Sequence, residues 1–137
     1  MNTAPWNKNR IVGGATVEEG AWPWIVGLNS GRKHWCGGTA ITKNAGSKSD
    51  WILTAGHCCK GETSIRVTIG DWSQSTTSEN EVTVKSTDIL IHPNYDPVTL
   101  SHDFCMIEVP NLSDAGAKHE PPCLPGTTIL QSLKDLP

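Results

Sequence analysis

The sequence predicts an all-β domain, a sandwich or a barrel, and three observations carry that expectation. Short runs rich in Val, Ile, Thr and Trp recur along the chain, several of them alternating in polarity. Gly, Asn, Asp and Ser punctuate the runs, and none reaches the length of an amphipathic helix. About six strands at short spacing suit such a fold. The 137 residues allow one domain, since a single all-β domain can run to about 200–250 residues.

Taken in order, residues 1–10 (MNTAPWNKNR) are polar and aperiodic, a leader rather than an element. Strands are expected in PWIVGLN, GGTAIT, DWILTAG, IRVTIGDW, NEVTVKSTDILIH and DFCMIEVPNL. Between them, ITKNAGSKSD (41–50) and DWSQSTTSENE (71–81) read as surface loops, being polar and rich in turn formers. The final stretch, PGTTILQSLKDLP, suits a strand start or a short amphipathic turn. The chain contains neither internal repeats nor a low-complexity linker.

Composition excludes several classes. Eleven basic against fourteen acidic residues give a net charge of −3 with no basic block, which argues against a nucleic-acid partner. No apolar stretch approaches the roughly 20 residues of a membrane span, and MNTAPWNKNR lacks the apolar core of a signal peptide. The five cysteines include no C-x-x-C pair, and no H-x₃-H pair accompanies them, so spacing speaks against a cysteine–histidine metal site. They read instead as a disulfide framework from an oxidising compartment, hence secretion. An odd cysteine count without a signal peptide suggests a sequence incomplete at one end.

Specific motifs follow one another. RIVGG at 10–14 resembles the activation junction of chymotrypsin-like (trypsin-family) serine proteases. PWIVGL at 23–28 is similar to that family's first strand, and HWCGGTAIT at 34–42 to its Cys-Gly-Gly strand. WILTAGHC at 51–58 resembles the histidine signature. IHPNYDPVTLSHDFCMIEV at 91–109 resembles the segment that delivers the aspartate, and CLP at 123–125 the start of the connection to a second barrel. The resemblance implies the first antiparallel six-stranded barrel of a two-barrel fold over 11–126, with 127–137 a connection or fragment of a largely missing second barrel.

It also implies a serine endopeptidase with His57 as general base and Asp103 as its orienting acid. Peptide hydrolysis needs a group that takes a proton and later returns it to the leaving amine, and imidazole can do both. A carboxylate at Nδ1 fixes the tautomer and stabilises the imidazolium. His34, His92, His102 and His119 match no functional position and read as structural. The family's nucleophile sits in Gly-Asp-Ser-Gly-Gly, a string absent here. Ser30, Ser47, Ser64, Ser86, Ser101 and Ser132 lie outside any Gly-flanked turn of that kind. The expectation is a zymogen activated at Arg10–Ile11 by a trypsin-like protease, recorded as a chain that is inactive alone. The alternative is a genuine short pseudoprotease serving as a binding module.

The resemblance further implies a Cys36–Cys58 bridge. Cys59 and Cys105 each lie two residues after a catalytic position, and a second bridge between them is plausible; two buried free thiols are the other possibility. Cys123 is expected to be unpaired. Asp71 and Glu81 bracket a loop resembling the family's calcium loop, although Ser78 departs from the pattern, so calcium is possible but not required. NLS at 111–113 makes Asn111 a candidate glycosylation site, which places it at the surface. Protein or peptide substrates are implied; their sequence preference is not legible.

Overall fold

The computed structural model describes residues 14–31, 33–43, 48–71 and 80–126. The leader, the Arg10–Ile11 junction and residues 127–137 lie outside these. Among the described residues, seven strand segments and one helical turn are formed: β1 (Ile25–Ser30), β2 (Lys33–Ala40), β3 (Ser49–Thr54), α1 (Gly56–Cys59), β4 (Ile65–Ile69), β5 (Val82–Ser86), β6 (Asp88–Ile91) and β7 (Cys105–Pro110). All pairings are antiparallel, in the order β5-β4-β1-β2-β3-β7-β6.

The two ends of this order are consecutive in sequence, and that nearly closes the sheet into a barrel. β5 pairs with β4, the chain bends at Thr87, and β6 then pairs with β7. Ser86 fastens the bend: its hydroxyl donates to the Glu108 carbonyl of β7 and accepts the Asp88 N–H at 3.0 Å. β5 and β6 are therefore one bent strand, and six strands surround the core. Near-closure leaves few unpaired backbone groups to invite association.

Period-two alternation explains which side chains point inward. In β4, Ile65, Val67 and Ile69 are buried while Arg66 is exposed; in β7, Cys105, Ile107 and Val109 are buried. They meet Val26 and Leu28 of β1 and Ile52 of β3 in one apolar cluster. Each fully buried Ile or Leu contributes on the order of 1.5–3 kcal/mol. Thr68 is buried as well, bonded to Thr83 at 2.9 Å and to the Asn29 amide at 3.2 Å. At Gly38 of β2 a Cβ would sit 2.9 Å from Ile52 Cγ2 and 3.1 Å from Val26 Cγ2, so only glycine lets β2 close over the core there.

Two expectations are corrected. The stretch 41–50 is not wholly a surface loop: Ser49 and Asp50 open β3, and Asp50 is fully buried. Its carboxylate accepts the Thr42 hydroxyl at 3.0 Å and the Leu112 N–H at 2.8 Å, so polarity here marks a satisfied interior group. Asn111 is likewise buried rather than on the surface. Its Oδ1 accepts the Asp114 N–H at 3.0 Å and shapes the turn after β7.

Candidate active site

The β3–β7 ladder determines where His57 and Asp103 lie. Its last pair is Thr54↔Cys105. Just beyond that rung, β3 runs into α1, which carries His57, while the residues entering β7 include Asp103. A separation of 46 positions thus becomes direct contact. Cys59–Cys105 ties α1 to the first residue of β7, and Cys36–Cys58 ties it to β2, with Cα–Cα distances of 6.5 and 6.2 Å. Trp35 adds a third restraint, its indole N–H donating to the Cys58 carbonyl at 3.2 Å.

Asp103 binds His57 twice. Oδ1 accepts the His57 backbone N–H and Oδ2 accepts the ring Nδ1–H, both at 2.7 Å. The first bond satisfies a donor that the opening turn of a helix leaves without an intrahelical partner. The second selects the tautomer and leaves Nε2 as the ring's acceptor. Because a carboxylate can only accept, the hydrogen bond from the His57 side chain is the foremost cause holding Asp103 below the usual carboxylate range, against the opposing effect of desolvation. The His57 side chain is 55% exposed and that of Asp103 is 26% exposed, so the ring faces solvent while its partner is mostly covered.

Gly56 makes the close approach possible. A Cβ there would lie 3.2 Å from Asp103 Oδ1 and 3.2 Å from Tyr95 Cγ and Cδ2. Tyr95 was not singled out from the sequence, yet its ring packs here. Desolvation, then the charges of Asp103 and Asp96, push its phenol upward. The loop before Asp103 is internally braced. Asp96 Oδ1 accepts the Val98 and Thr99 N–H groups, and the Asp96 N–H donates to the Ser101 carbonyl at 3.0 Å. Leu100 and His102 adopt left-handed φ values of 58° and 53°, uncommon without glycine. His102 stacks on His92 with centroids 4.9 Å apart.

The remaining candidates fall elsewhere. His119 is buried, donating from Nε2 to the Thr42 carbonyl at 3.0 Å. His34 is half-buried beside Gly27, its Nδ1 without a hydrogen-bond partner. Asp71 and Glu81 are half-buried; Asp71 Oδ1 lacks a hydrogen-bond partner, and residues 72–79 between them lie outside the described ones. Cys123 is free and exposed. Among the described residues no serine hydroxyl bonds to His57: Ser30 is engaged by Glu62, Ser49 and Ser86 by Glu108, and Ser101 by His102. The arrangement is an oriented imidazole with a free ring acceptor and a carboxylate behind it, with no serine hydroxyl bonded to the ring among the described residues.

Known proteins resemble this chain. The family model described as Trypsin matches residues 11–133. The chain is 35% identical to Trypsin II-P29 of Gallus gallus, over 87% of this chain and 44% of that protein. It is 37% identical to Serine protease 56 of Homo sapiens, over 85% of this chain and 18% of that protein. Ovochymase-2 of Mus musculus is 34% identical, over 85% of this chain and 19% of its own length. The chain thus spans less than half the length of these relatives.

Proposed function

The chain belongs to the trypsin family of serine proteases, and from that membership we propose that His57 and Asp103 are the base and orienting acid of a serine endopeptidase. The observation carrying this reading is the pair of 2.7 Å bonds by which Asp103 holds both the backbone and the ring of His57. In this reading Nε2 takes the proton of an attacking serine hydroxyl. Asp103 stabilises the imidazolium, and Nε2 then gives the proton to the leaving amine. The substrates are proteins or peptides, and the compartment is extracellular, which both disulfides favour.

In this reading the hydroxyl comes from polypeptide other than these residues, because Gly-Asp-Ser-Gly-Gly is absent and Ser30, Ser49, Ser86 and Ser101 bond to groups other than His57. The 137 residues alone therefore do not hydrolyse peptides. Cleavage of Arg10–Ile11 by a trypsin-like protease is the activation step in this reading. Calcium is an optional addition: Asp71 and Glu81 offer carboxylates, and the unpartnered, buried Asp71 Oδ1 fits a hard cation.

A second reading, a non-catalytic binding module, is favoured by a hollow of mixed character. Val17, Trp22, Pro23 and Ile25 line a cavity of about 550 Å³ together with Glu18, Glu19, Asp71 and Lys118, and Trp22 and Ile25 are exposed.

One experiment separates the readings. The oxidised chain, assayed alone on a peptide ester and treated with a serine-directed phosphonate, should show neither turnover nor labelling. Fused to the remaining portion of Trypsin II-P29, it should gain activity that His57→Ala removes. Labelling of the isolated chain, or a fully active His57→Ala fusion, would overturn the protease reading.

A further inference from the structure

Sequence spacing speaks against a cysteine–histidine metal site, but the fold assembles what spacing lacks. Cys36 from β2 and His57 and Cys58 from α1 bring two sulfurs and one imidazole nitrogen within 4.8 Å of one another. In the structure the sulfurs are joined as a disulfide. We propose that reduction of Cys36–Cys58 converts this cluster into a binding site for a thiophilic divalent ion, zinc above all, held by both thiolates and His57 Nε2.

Geometry is the first support. Nε2 lies 3.7 Å from Cys58 Sγ. Two ligands about 2.3 Å (sulfur) and 2.0–2.1 Å (nitrogen) from a tetrahedral zinc stand roughly 3.5–3.6 Å apart. That pair already has the right separation, and breaking the disulfide lets Cys36 Sγ move to a similar one.

The second support is the tautomer. A metal-bound histidine normally donates its other N–H to a carboxylate, which orients the ring and raises its basicity. Asp103 Oδ2, 2.7 Å from Nδ1, already provides this, so the lone pair is on the nitrogen that faces sulfur.

Access is the third. Cys36 is half-buried and the His57 ring exposed, so although Cys58 is only 5% exposed one sulfur of that bridge can be attacked, whereas Cys59 and Cys105 are each 1% exposed. A reductant therefore reaches Cys36–Cys58 before the interior bridge, and the exposed ring leaves room for water as a fourth ligand.

The chemistry balances with a trialkylphosphine as reductant. Phosphorus is oxidised to the phosphine oxide by taking oxygen from one water, and the S–S bond is cleaved to two thiols. Binding of the divalent ion then releases both thiol protons, while the Nδ1 proton stays on His57, hydrogen-bonded to Asp103 Oδ2. The ion would hold the Nε2 lone pair, so on the protease reading it would also remove the base; the site itself does not depend on that reading.

Cobalt(II) is the probe, used with the full chain carrying Cys123→Ser so that the exposed thiol cannot contribute. The oxidised protein should give no thiolate-to-cobalt charge-transfer band. After phosphine treatment one equivalent of cobalt should give that band together with the visible bands of a tetrahedral site. His57→Gln should weaken binding, and Asp103→Asn should weaken it roughly 10–100-fold through the ring it positions. Absence of the band in reduced protein, or His57→Gln binding as tightly as the parent, overturns the site. If reduction unfolds the chain, zinc should restore β structure in the His57 protein and not in His57→Gln. Failure to restore it also overturns the proposal.

Discussion

Asp103 grips His57 at two points, the backbone N–H on Oδ1 and the ring Nδ1–H on Oδ2, each at 2.7 Å. A single bond would leave the imidazole free to swing about its side-chain torsions. Two bonds to one carboxylate set the helical turn and the ring together.

Asp103→Asn tests that grip. An amide in this position offers an N–H where a carboxylate oxygen accepts, which favours the wrong tautomer of His57. In an enzyme completed with its serine, kcat should fall by about 10⁴-fold, the magnitude known for this change in a related triad. Steady-state kinetics on the fusion described above provides the check; a loss below tenfold would remove Asp103 from the mechanism.

Acid should loosen the same contact. The Asp103 carboxyl is held down in the folded state, chiefly by the hydrogen bond from the His57 side chain. Its contribution to stability is therefore fully present above the unfolded carboxyl value of about 3.9. It is lost as pH falls through the lower folded value. Urea midpoints of the parent and of Asp103→Asn should converge as pH falls below about 4, and parallel curves would refute the linkage.

Gly56→Ala places a methyl 3.2 Å from Asp103 Oδ1 and from the Tyr95 ring. Overpacking of this kind costs about 1–3 kcal/mol. Chemical denaturation should show that loss, and the His57 Nδ1–H proton resonance should move as the carboxylate is displaced. Unchanged stability would mean that Tyr95 yields freely.

The two bridges close loops of different length, with separations of 22 positions for Cys36–Cys58 and 46 for Cys59–Cys105. In the chain-entropy model they contribute about 3 and about 4 kcal/mol respectively. Cys59→Ala/Cys105→Ala should therefore lower the denaturation midpoint more than Cys36→Ala/Cys58→Ala, a ranking that unfolding curves of the two double variants can reverse.

Asp50→Ala removes the acceptor of the part-buried Thr42 hydroxyl and leaves the buried Leu112 N–H without its partner. The cost should be about 1–3 kcal/mol for a buried group left unpaired. Asp50→Asn, which keeps one acceptor oxygen, should recover part of it in thermal melts.

The strands were legible because alternation is local: IRVTI and CMIEV show their inward faces in the order of residues alone. His57 and Asp103 were legible because each is embedded in a string that resembles a family. Asp50 and Asn111 were not. Both are polar residues beside turn formers, and composition cannot distinguish a solvated turn from a buried group whose partners lie elsewhere in the chain. Leu112, the partner of Asp50, is 62 positions away. Tyr95 lies within the segment 91–109, but nothing local announces that its ring packs against Gly56.

Residue order by itself determined the all-β character and the likeness to trypsin-family proteases. Those properties follow from period-two patterning and from short motifs, which act within a few residues. Only the folded barrel decided that Thr54 lies opposite Cys105, that β5 and β6 are one bent strand, and that Cys36, His57 and Cys58 share one small volume. Those outcomes depend on antiparallel register around a nearly closed sheet. Register is a collective result of long-range pairing and core packing that no single segment encodes.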